Sequence, residues 1–307
     1  MLGEIASLSG SFVALLIVMF VLTVYLTKRY VRWASGRGIT GVDHHKPEKP
    51  EVAEWGGVVV FACFVFFSLV LYYFFGVHEV GFILMITSLF GVYGLVDDIS
   101  EMHHHHKLLV SVLFGLIAAL TIGSGLLEVV WIVFFTLAAG NIVNIFAGLN
   151  GLEMGVSTIA VFFLALYSLV FLGAVAPLYI SMGFFVILFA FLIFNSYPAD
   201  VFPGDVGTLV VGGFIASFAV RFDLYLQATV LLLPHILDCI LKGSSKGYFS
   251  PEVKKSGDLN GDELKPRKDF RHLIGEVLKR IPDEKKAVHF FWAVEIVLGI
   301  VLVVVSL

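Results

Sequence analysis

Charged side chains stand where apolar segments of this sequence end, a position at which charge is costly unless it has a role. Asp97 and Asp98 end one apolar run, and Lys107 follows nine residues after Asp98. Acids at the edge of a membrane segment bind a cation, a basic partner or water, so they predict a functional site. Asp205 lies between two glycines before a later run, which suits an oxygen ligand for a hard ion such as Mg²⁺. Alternatively, the paired acids only end a span and Asp205 caps a helix.

Three asparagines lie close together at the end of another apolar run. Asn141 and Asn144 are three residues apart, so they share one face of a helix. Gly148 and Gly151 permit a backbone turn close to a ligand, and the amides supply neutral oxygen ligands and hydrogen-bond donors. Asparagines that cap and turn a helix end would explain Asn150 and Gly151 but not all three amides.

Ten apolar runs would have to position these groups. They lie at 8–26, 58–75, 80–96, 108–122, 129–143, 156–172, 178–194, 209–220, 224–241 and 288–307. Several are about 17 to 20 residues long, enough to cross a bilayer core, and the fourth and eighth are the shortest. A content of 59% hydrophobic and 14% charged residues excludes a soluble domain with a polar surface. The sequence predicts an all-α, polytopic membrane protein with about ten transmembrane helices, a single domain over 1–307 and a long cytoplasmic loop over 242–287.

The basic residues predict the orientation. With ten runs, the gaps after the odd-numbered runs share one face, and they contain 19 of the 20 lysines and arginines. By the positive-inside rule this face is cytoplasmic, and the acids, Lys107 and the asparagines all lie on it. The segments near His78, Ser124 and Arg221 are expected to face outside.

The motifs resemble those of the polyprenyl-phosphate N-acetylhexosamine-1-phosphate transferase superfamily. The resemblance is closest to its UDP-GlcNAc:dolichyl-phosphate GlcNAc-1-phosphate transferase branch of archaea and eukaryotes, in glycosyltransferase family 4. The segment 141–153 carries it, with Ala147-Gly148 where the bacterial peptidoglycan branch has Asp-Gly. The segment 195–205, with Tyr197-Pro198, is a second marker.

The resemblance implies a role for each residue of the charged motifs. Asp205 and Asn144 would hold Mg²⁺, with Mn²⁺ as a substitute. Lys107 would contact phosphate oxygens as a point charge, and Asp97 and Asp98 would orient it and the lipid phosphate.

The resemblance also implies which residues bind the substrate. Gly148 and Asn150 would line the nucleotide pocket, and Asn195 would bind substrate beside them. The segment 52–57 is similar to the family's Pro-Glu-x-Gly turn, with Ala53 in place of proline, and puts Glu54 near the uridine. The branch has an Arg-His-Arg triplet in its last cytoplasmic loop, where this sequence offers only Lys246, Lys254, Lys255 and later Arg271-His272.

The implied activity is transfer of GlcNAc-1-phosphate from UDP-GlcNAc to a polyprenyl (dolichyl) phosphate, the first step of lipid-linked oligosaccharide assembly for protein N-glycosylation. The expected partners are a UDP-sugar, the lipid phosphate and the cell membrane, or the ER membrane in a eukaryote. A homodimer is left open and no nucleic acid is expected. A related transferase that uses another UDP-sugar or undecaprenyl phosphate for cell-envelope glycans is the alternative.

A transporter is the competing interpretation from another class. It predicts ionisable residues in the middle of the membrane and inverted-repeat symmetry. Here only Asp238 and Glu295 are acids inside the predicted spans, whereas the other acids lie at one interface. That distribution favours an interfacial enzyme.

Two further patterns lie on the predicted cytoplasmic face. Four histidines at 103–106 precede Lys107, and we interpret them as a polar interfacial stretch, since consecutive imidazoles cannot converge on one metal ion. Apolar residues at helical spacing over 273–281 predict an amphipathic helix, which lies in the interface or packs on the loop's own small core.

Overall fold

The computed structural model describes residues 10–100, 102, 104–123, 125–245, 257–260, 263–267 and 270–307. Five positions named above lie outside the described residues: His103, Ser124, Lys246, Lys254 and Lys255. The side chains of His104 and His105 are also outside the description.

Helices make up most of the described chain. They are α1 (Gly10–Ser35), α2 (Gly57–Phe74), α3 (Val80–Ser100), α4 (His104–Ile122), α5 (Leu126–Ile145), α6 (Leu152–Tyr167), α7 (Val175–Asn195), α8 (Gly204–Phe222), α9 (Tyr225–Leu231), α10 (Leu233–Gly243), α11 (Leu273–Leu278) and α12 (Glu284–Ser306). A π-helical turn, Ser168–Leu172, extends α6. Two short hairpins pair β1 (Thr40–Val42) with β2 (Glu51–Ala53) and β3 (Gly257–Asn260) with β4 (Glu263–Pro266).

The prediction of an all-α, polytopic membrane protein is confirmed. Among the described residues, eight helices are long and apolar enough to cross a membrane: α1, α2, α3, α5, α6 with its π turn, α7, α8 and α12. The fourth predicted run is a shorter apolar helix over His106–Ile122. The eighth run, short in the sequence, belongs to a 19-residue helix because the polar turn at Gly204 and Asp205 starts it earlier.

The ninth predicted run is not one straight span. It is divided into α9 and α10, whose axes are inclined by 68°. Pro234 lies in the first turn of α10, a position at which a helix does not need the N–H donor that proline lacks. For the same reason, Pro234 cannot continue the hydrogen bonding of α9. The bend turns the end of α10 toward α5 and α11.

α8 is the central helix of the bundle and packs against α2, α3 and α5. Its residues from Val206 to Val220 are buried. At Gly94, α3 comes so close that an added Cβ would stand 2.6 Å from the Val206 Cα and 2.8 Å from the Asp205 carbonyl oxygen. Glycine at this position therefore brings the acidic end of α3 against the start of α8.

The polar loops are joined to one another. A parallel bridge pairs Ala53 with Val201, and the Phe202 N–H donates to the Ala53 carbonyl at 2.8 Å. In the long last loop, Ile274 and Leu278 of α11 are buried in a small core that also contains Phe146. The predicted amphipathic helix thus packs on a small core that the loop shares with the ends of α5, α6 and α12, and not on a core of the loop alone.

Candidate active site

Lys107 lies in the first turn of α4 with its ammonium group between two carboxylates. Its Nζ is 2.8 Å from Asp205 Oδ2 at the start of α8, and it also pairs with Asp97 Oδ2 in α3. The Asp97 and Asp205 carboxyl groups lie near enough to each other for their charges to interact. Asp97 is buried, while 18% of the Lys107 side chain and 30% of the Asp205 side chain are exposed. This set of three side chains is therefore anchored at buried Asp97 and accessible at Lys107 and Asp205.

Asp98 bonds to the backbone at the start of α8 and does not pair with Lys107. Its Oδ1 accepts a hydrogen bond from the Asp205 N–H at 2.7 Å, and its Oδ2 accepts one from the Val206 N–H at 2.9 Å. A carboxylate at a helix N-terminus satisfies free N–H groups and stabilises the helix dipole. Asp98 thus fixes the backbone of Asp205 from α3.

The asparagines at the end of α5 complete this arrangement. The Asn144 side chain lies within interaction distance of the Asp205 carboxylate. Asn141 Nδ2 donates to Ser111 Oγ at 2.7 Å, and Ser111 Oγ donates to the Lys107 carbonyl at 2.8 Å. One amide thus contacts the carboxylate, and the other ties α5 to the turn that carries Lys107. We call Asp97, Lys107, Asn144 and Asp205 the acid–lysine cluster.

The acid–lysine cluster fits a divalent cation of the Mg²⁺ type. It offers two carboxylates and an amide, and hard cations prefer oxygen ligands of these kinds. The proximity of the Asp97 and Asp205 carboxylates brings like charges together, and one lysine neutralises only one of them. An added cation would lower that repulsion.

Glu54 lies on a loop next to this cluster. Its backbone carbonyl accepts a hydrogen bond from the Tyr30 hydroxyl at 2.8 Å, and its side chain packs over Gly41. It is near enough to Asp98 for their charges to interact. The Ala53–Val201 bridge joins this loop to the one that leads into Asp205.

A second buried cluster, which the sequence did not predict, surrounds Lys46. Its Nζ is 2.9 Å from Asp43 Oδ2 and 2.6 Å from Glu284 Oε2. Asn150 donates from Nδ2 to Asp43 Oδ2 at 2.9 Å and from its backbone N–H to Glu284 Oε1 at 2.8 Å. The Tyr197 ring lies 4.2 Å from Nζ. We call these five residues the Lys46 hub, which joins three polar loops to the start of α12.

The charges of the Lys46 hub stabilise one another. Burial would raise the pKa of the Asp43 carboxyl, but hydrogen bonds from Lys46 and Asn150 outweigh it and leave that pKa below its usual value. Burial would likewise lower the pKa of the Lys46 ammonium, yet its bonds to Asp43 and Glu284 hold that pKa above its usual value. Both groups are therefore ionised at neutral pH.

Asp43, His45 and Glu284 have potential metal-binding atoms within 4.8 Å of one another. The Lys46 ammonium already contacts both carboxylates there, so a metal ion would have to displace a buried cation. The acid–lysine cluster, which is open on one side, fits a metal ion better.

Two of the predicted substrate residues are engaged in the protein's own hydrogen bonds. Asn195 is buried and donates from Nδ2 to the Val201 carbonyl at 2.9 Å, which closes the loop before α8. Asn150 belongs to the Lys46 hub. Gly148, by contrast, is exposed with a φ of 142°, and its backbone lies near the Glu153 carboxyl group.

Arg271 and His272, which the last loop offers in place of the family's Arg-His-Arg triplet, lie directly before α11. His272 is buried, caps α11 by accepting a hydrogen bond from the Gly275 N–H at 3.1 Å, and stacks on Phe270. Arg271 is exposed. The loop is tied to α10, because the Leu273 N–H donates to Asp238 Oδ1 at 2.7 Å.

Comparison with known proteins gives a consistent result. The model of glycosyl transferase family 4 matches residues 80–223, a segment that contains the whole acid–lysine cluster. A Methanocaldococcus jannaschii protein named as a glycosyltransferase is 34% identical over 294 residues, covering 94% of this chain and 93% of its own.

Two further relatives have more specific names. A Saccharolobus solfataricus protein named as a UDP-N-acetylglucosamine–dolichyl-phosphate N-acetylglucosaminephosphotransferase is 28% identical over 314 residues, covering 95% of each chain. A phospho-N-acetylmuramoyl-pentapeptide-transferase of Dictyoglomus thermophilum is 33% identical over 243 residues, covering 70% of this chain and 74% of its own.

Proposed function

The chain belongs to glycosyl transferase family 4, and from that membership we propose that it transfers GlcNAc-1-phosphate from UDP-GlcNAc to a polyprenyl (dolichyl) phosphate. The products are lipid-diphosphate-GlcNAc and UMP, and the reaction is the first step of lipid-linked oligosaccharide assembly. The family and the names of the relatives support a membrane protein that transfers a hexosamine phosphate to a polyprenyl phosphate.

The observation that carries the proposal is the position of Lys107 between Asp97 and Asp205, with Asn144 on the same carboxylate. The ammonium group and its two carboxylates lie at a partly open surface and have one carboxylate in excess, so an anionic substrate would bind here together with a divalent cation. This arrangement suits a phosphate group with its cation better than a transported neutral solute.

The chemistry requires two anions to meet. An oxygen of the lipid phosphate attacks the β-phosphorus of the nucleotide sugar, and the bond from that phosphorus to the bridging oxygen breaks, so UMP leaves with the bridging oxygen. The Lys107 ammonium lowers the repulsion and stabilises charge on the transferring phosphoryl group. No strong base is required, because the attacking phosphate is already ionised near neutral pH.

Mg²⁺, with Mn²⁺ as a substitute, would be held by Asp205 and Asn144, with Asp97 beside them, and would neutralise pyrophosphate charge. Asp97 orients the Lys107 ammonium by pairing with it. Asp98 acts through the backbone of Asp205 and has both carboxylate oxygens engaged, which argues against its use as a base.

The nucleotide would lie over the loops next to the acid–lysine cluster. Gly148 leaves its exposed turn free of a side chain, and Glu54 stands on the adjoining loop. Asn150 and Asn195 would shape this pocket by holding the backbone of their loops, since their amide N–H groups are already used inside the protein. We also propose that this face is cytoplasmic, because nearly all basic residues lie on it.

A panel of UDP-sugars tests the proposal. Purified protein is supplied with dolichyl phosphate or undecaprenyl phosphate, and radiolabel transfer to lipid is measured with and without EDTA. We expect label only from UDP-GlcNAc, preferentially to dolichyl phosphate, and none with EDTA. Absence of lipid-linked label from every donor would contradict the proposal.

Transfer of another UDP-sugar to undecaprenyl phosphate is the second candidate. It is supported by the 33% identity with the Dictyoglomus thermophilum transferase. Ala147-Gly148, where that branch has Asp-Gly, supports the first candidate instead. Label from UDP-N-acetylmuramoyl-pentapeptide in the same panel would favour the second.

A further inference from the structure

An apolar groove runs along the outside of the bundle between the end of α1 and the start of α2. Its volume is about 600 Å³, within the range of small-molecule sites. Apolar residues form its floor and one wall: Leu26, Val58, Val59 and Ala62. The groove opens to the surroundings, so a membrane-embedded chain could enter it sideways.

Two guanidinium groups stand at the polar end of this groove. Arg29 and Arg32 are three residues apart on α1, both exposed, and both line the groove. Neither has an acidic partner among the residues that the structure describes, although the lysine of each cluster, Lys46 and Lys107, has two. Trp33 lies beside them, with the Arg37 guanidinium 5.1 Å from its ring. Tryptophan and arginine side chains are typical of the head-group level of a membrane.

The groove adjoins the candidate active site, since the Tyr30 hydroxyl on its wall is near enough to Asp98 and Glu54 for their charges to interact, but the protein backbone divides the two. The start of α2 stands between the groove and the acid–lysine cluster. It is held against the loop before α8, where the Gly57 N–H donates to the Pro203 carbonyl at 2.8 Å. A Cβ at Gly57 would come within 2.2 Å of the Gly207 backbone, so no lipid phosphate passes between these helices. The Tyr30 hydroxyl, on the groove wall, points away to the Glu54 carbonyl. A phosphate on Arg29 and Arg32 is therefore not placed for attack beside Lys107.

We propose that this groove binds an anionic bilayer phospholipid that is not the substrate, with its phosphate on Arg29 and Arg32 and one hydrocarbon chain against Val58 and Ala62. The planar guanidinium matches phosphate oxygens in a bidentate way, which a lysine cannot do. The side chains of Leu26, Val58, Val59 and Ala62 offer a hydrocarbon chain an apolar surface. The inference concerns binding and does not depend on the reaction that the protein catalyses.

Lipid binding to the full-length protein in detergent tests this. Native mass spectrometry measures the affinity for phosphatidylglycerol, phosphatidylcholine and dolichyl phosphate. We expect phosphatidylglycerol to bind most tightly, and Arg29→Gln/Arg32→Gln to weaken it about tenfold, since each basic residue near a membrane surface contributes to anionic-lipid binding. The matched control is Lys28→Gln/Lys285→Gln, which removes two exposed charges outside the groove and should change the affinity much less.

A groove-filling variant provides an independent measurement. Ala62→Trp leaves both arginines in place but occupies the apolar floor, so it should also lose phosphatidylglycerol. Equal losses in the arginine and lysine pairs would mean that only net charge matters, and would overturn the proposal. Equal binding of phosphatidylcholine, or competition for the groove by dolichyl phosphate alone, would overturn the choice of ligand.

Discussion

Asp205 makes more contacts in the acid–lysine cluster than any other member, since it meets Lys107, Asp97 and Asn144. Its backbone is fixed by Asp98, so its side chain has little freedom to move away. Removing this carboxylate would take away a candidate metal ligand and leave the lysine paired with one acid.

Asp205→Ala should therefore lower Mg²⁺-dependent transfer by at least about 100-fold, on the scale of losing one electrostatic group in an active site. The protein should still fold, because Asp98 bonds only to backbone N–H groups at this position. Initial rates at several Mg²⁺ concentrations measure the effect. Asp200→Ala, which replaces an exposed acid in the loop before α8, is the control. Wild-type turnover by Asp205→Ala would remove the metal assignment.

Lys107→Gln should depress kcat while leaving membrane insertion close to wild type. One charge at the end of a span matters little to insertion but greatly between two phosphates. His106→Gln, at the exposed preceding position of α4, should have a much smaller effect. Radiolabel transfer at saturating substrates gives kcat. An inactive His106→Gln together with an active Lys107→Gln would reverse our interpretation of this segment.

At the scale of elements, the close approach of α3 to α8 explains why residues about a hundred positions apart meet. Gly94 admits the start of α8, and Asp98 then caps it. The sequence predicted that these acids share a face, because the spacing of apolar runs and their parity determine which helix ends lie together. It could not predict that Asp98 would cap a neighbouring helix, since capping across helices leaves no local pattern.

The Lys46 hub is the part of the site region that sequence reasoning missed. Lys46 and Glu284 are 238 residues apart, and neither belongs to a motif or a periodic pattern. Only the packing of α12 beside the loop before α6 brings them together. Similarly, the bend at Pro234 depends on tertiary packing, because a proline near the middle of an apolar run is compatible with a kinked single span.

Breaking the Lys46 hub should destabilise the protein. Lys46→Met leaves two buried carboxylates without a cation, and loss of one partner from a buried ion pair costs about 3–5 kcal/mol. The midpoint of thermal unfolding in detergent should fall clearly, whereas Lys49→Met, an exposed lysine three residues later, should leave it unchanged. An unchanged midpoint in Lys46→Met would mean that the hub adds nothing to stability.

Acid should affect the hub in a defined direction. The pKa of Asp43 is lower in the folded protein than its ordinary value of 3.8. Its contribution to stability is therefore complete above that value and is lost as the pH falls through the depressed pKa. Unfolding midpoints between pH 6 and pH 3 should fall less steeply for Asp43→Asn than for wild type. Identical slopes would contradict the role of Asp43.

At the scale of the whole molecule, both clusters depend on one topology. The hydrogen bonds of Asn150 to Glu284 and Asp43 bring the end of α5 and the start of α12 to the same face as the loop after α1. The start of α5 is one membrane thickness away, because a 20-residue helix is about 30 Å long. The fold class and this shared face followed from hydropathy and charge, whereas the bend in the ninth run required the structure.

Single cysteines should therefore label from opposite sides of the membrane. In a background with Cys63 and Cys239 replaced, Gly125→Cys at the start of α5 should react with an impermeant maleimide from outside the cell. Lys285→Cys, next to the hub residue Glu284, should react only after permeabilisation, because we propose that the hub face is cytoplasmic. Both positions are exposed, so neither depends on unfolding for access. Labelling of both from one side would mean that α5 does not cross the membrane, and Asn144 could then no longer share a face with Lys107 through this topology. Reversed sidedness would keep both clusters intact but would place the UDP-sugar site away from the cytoplasm.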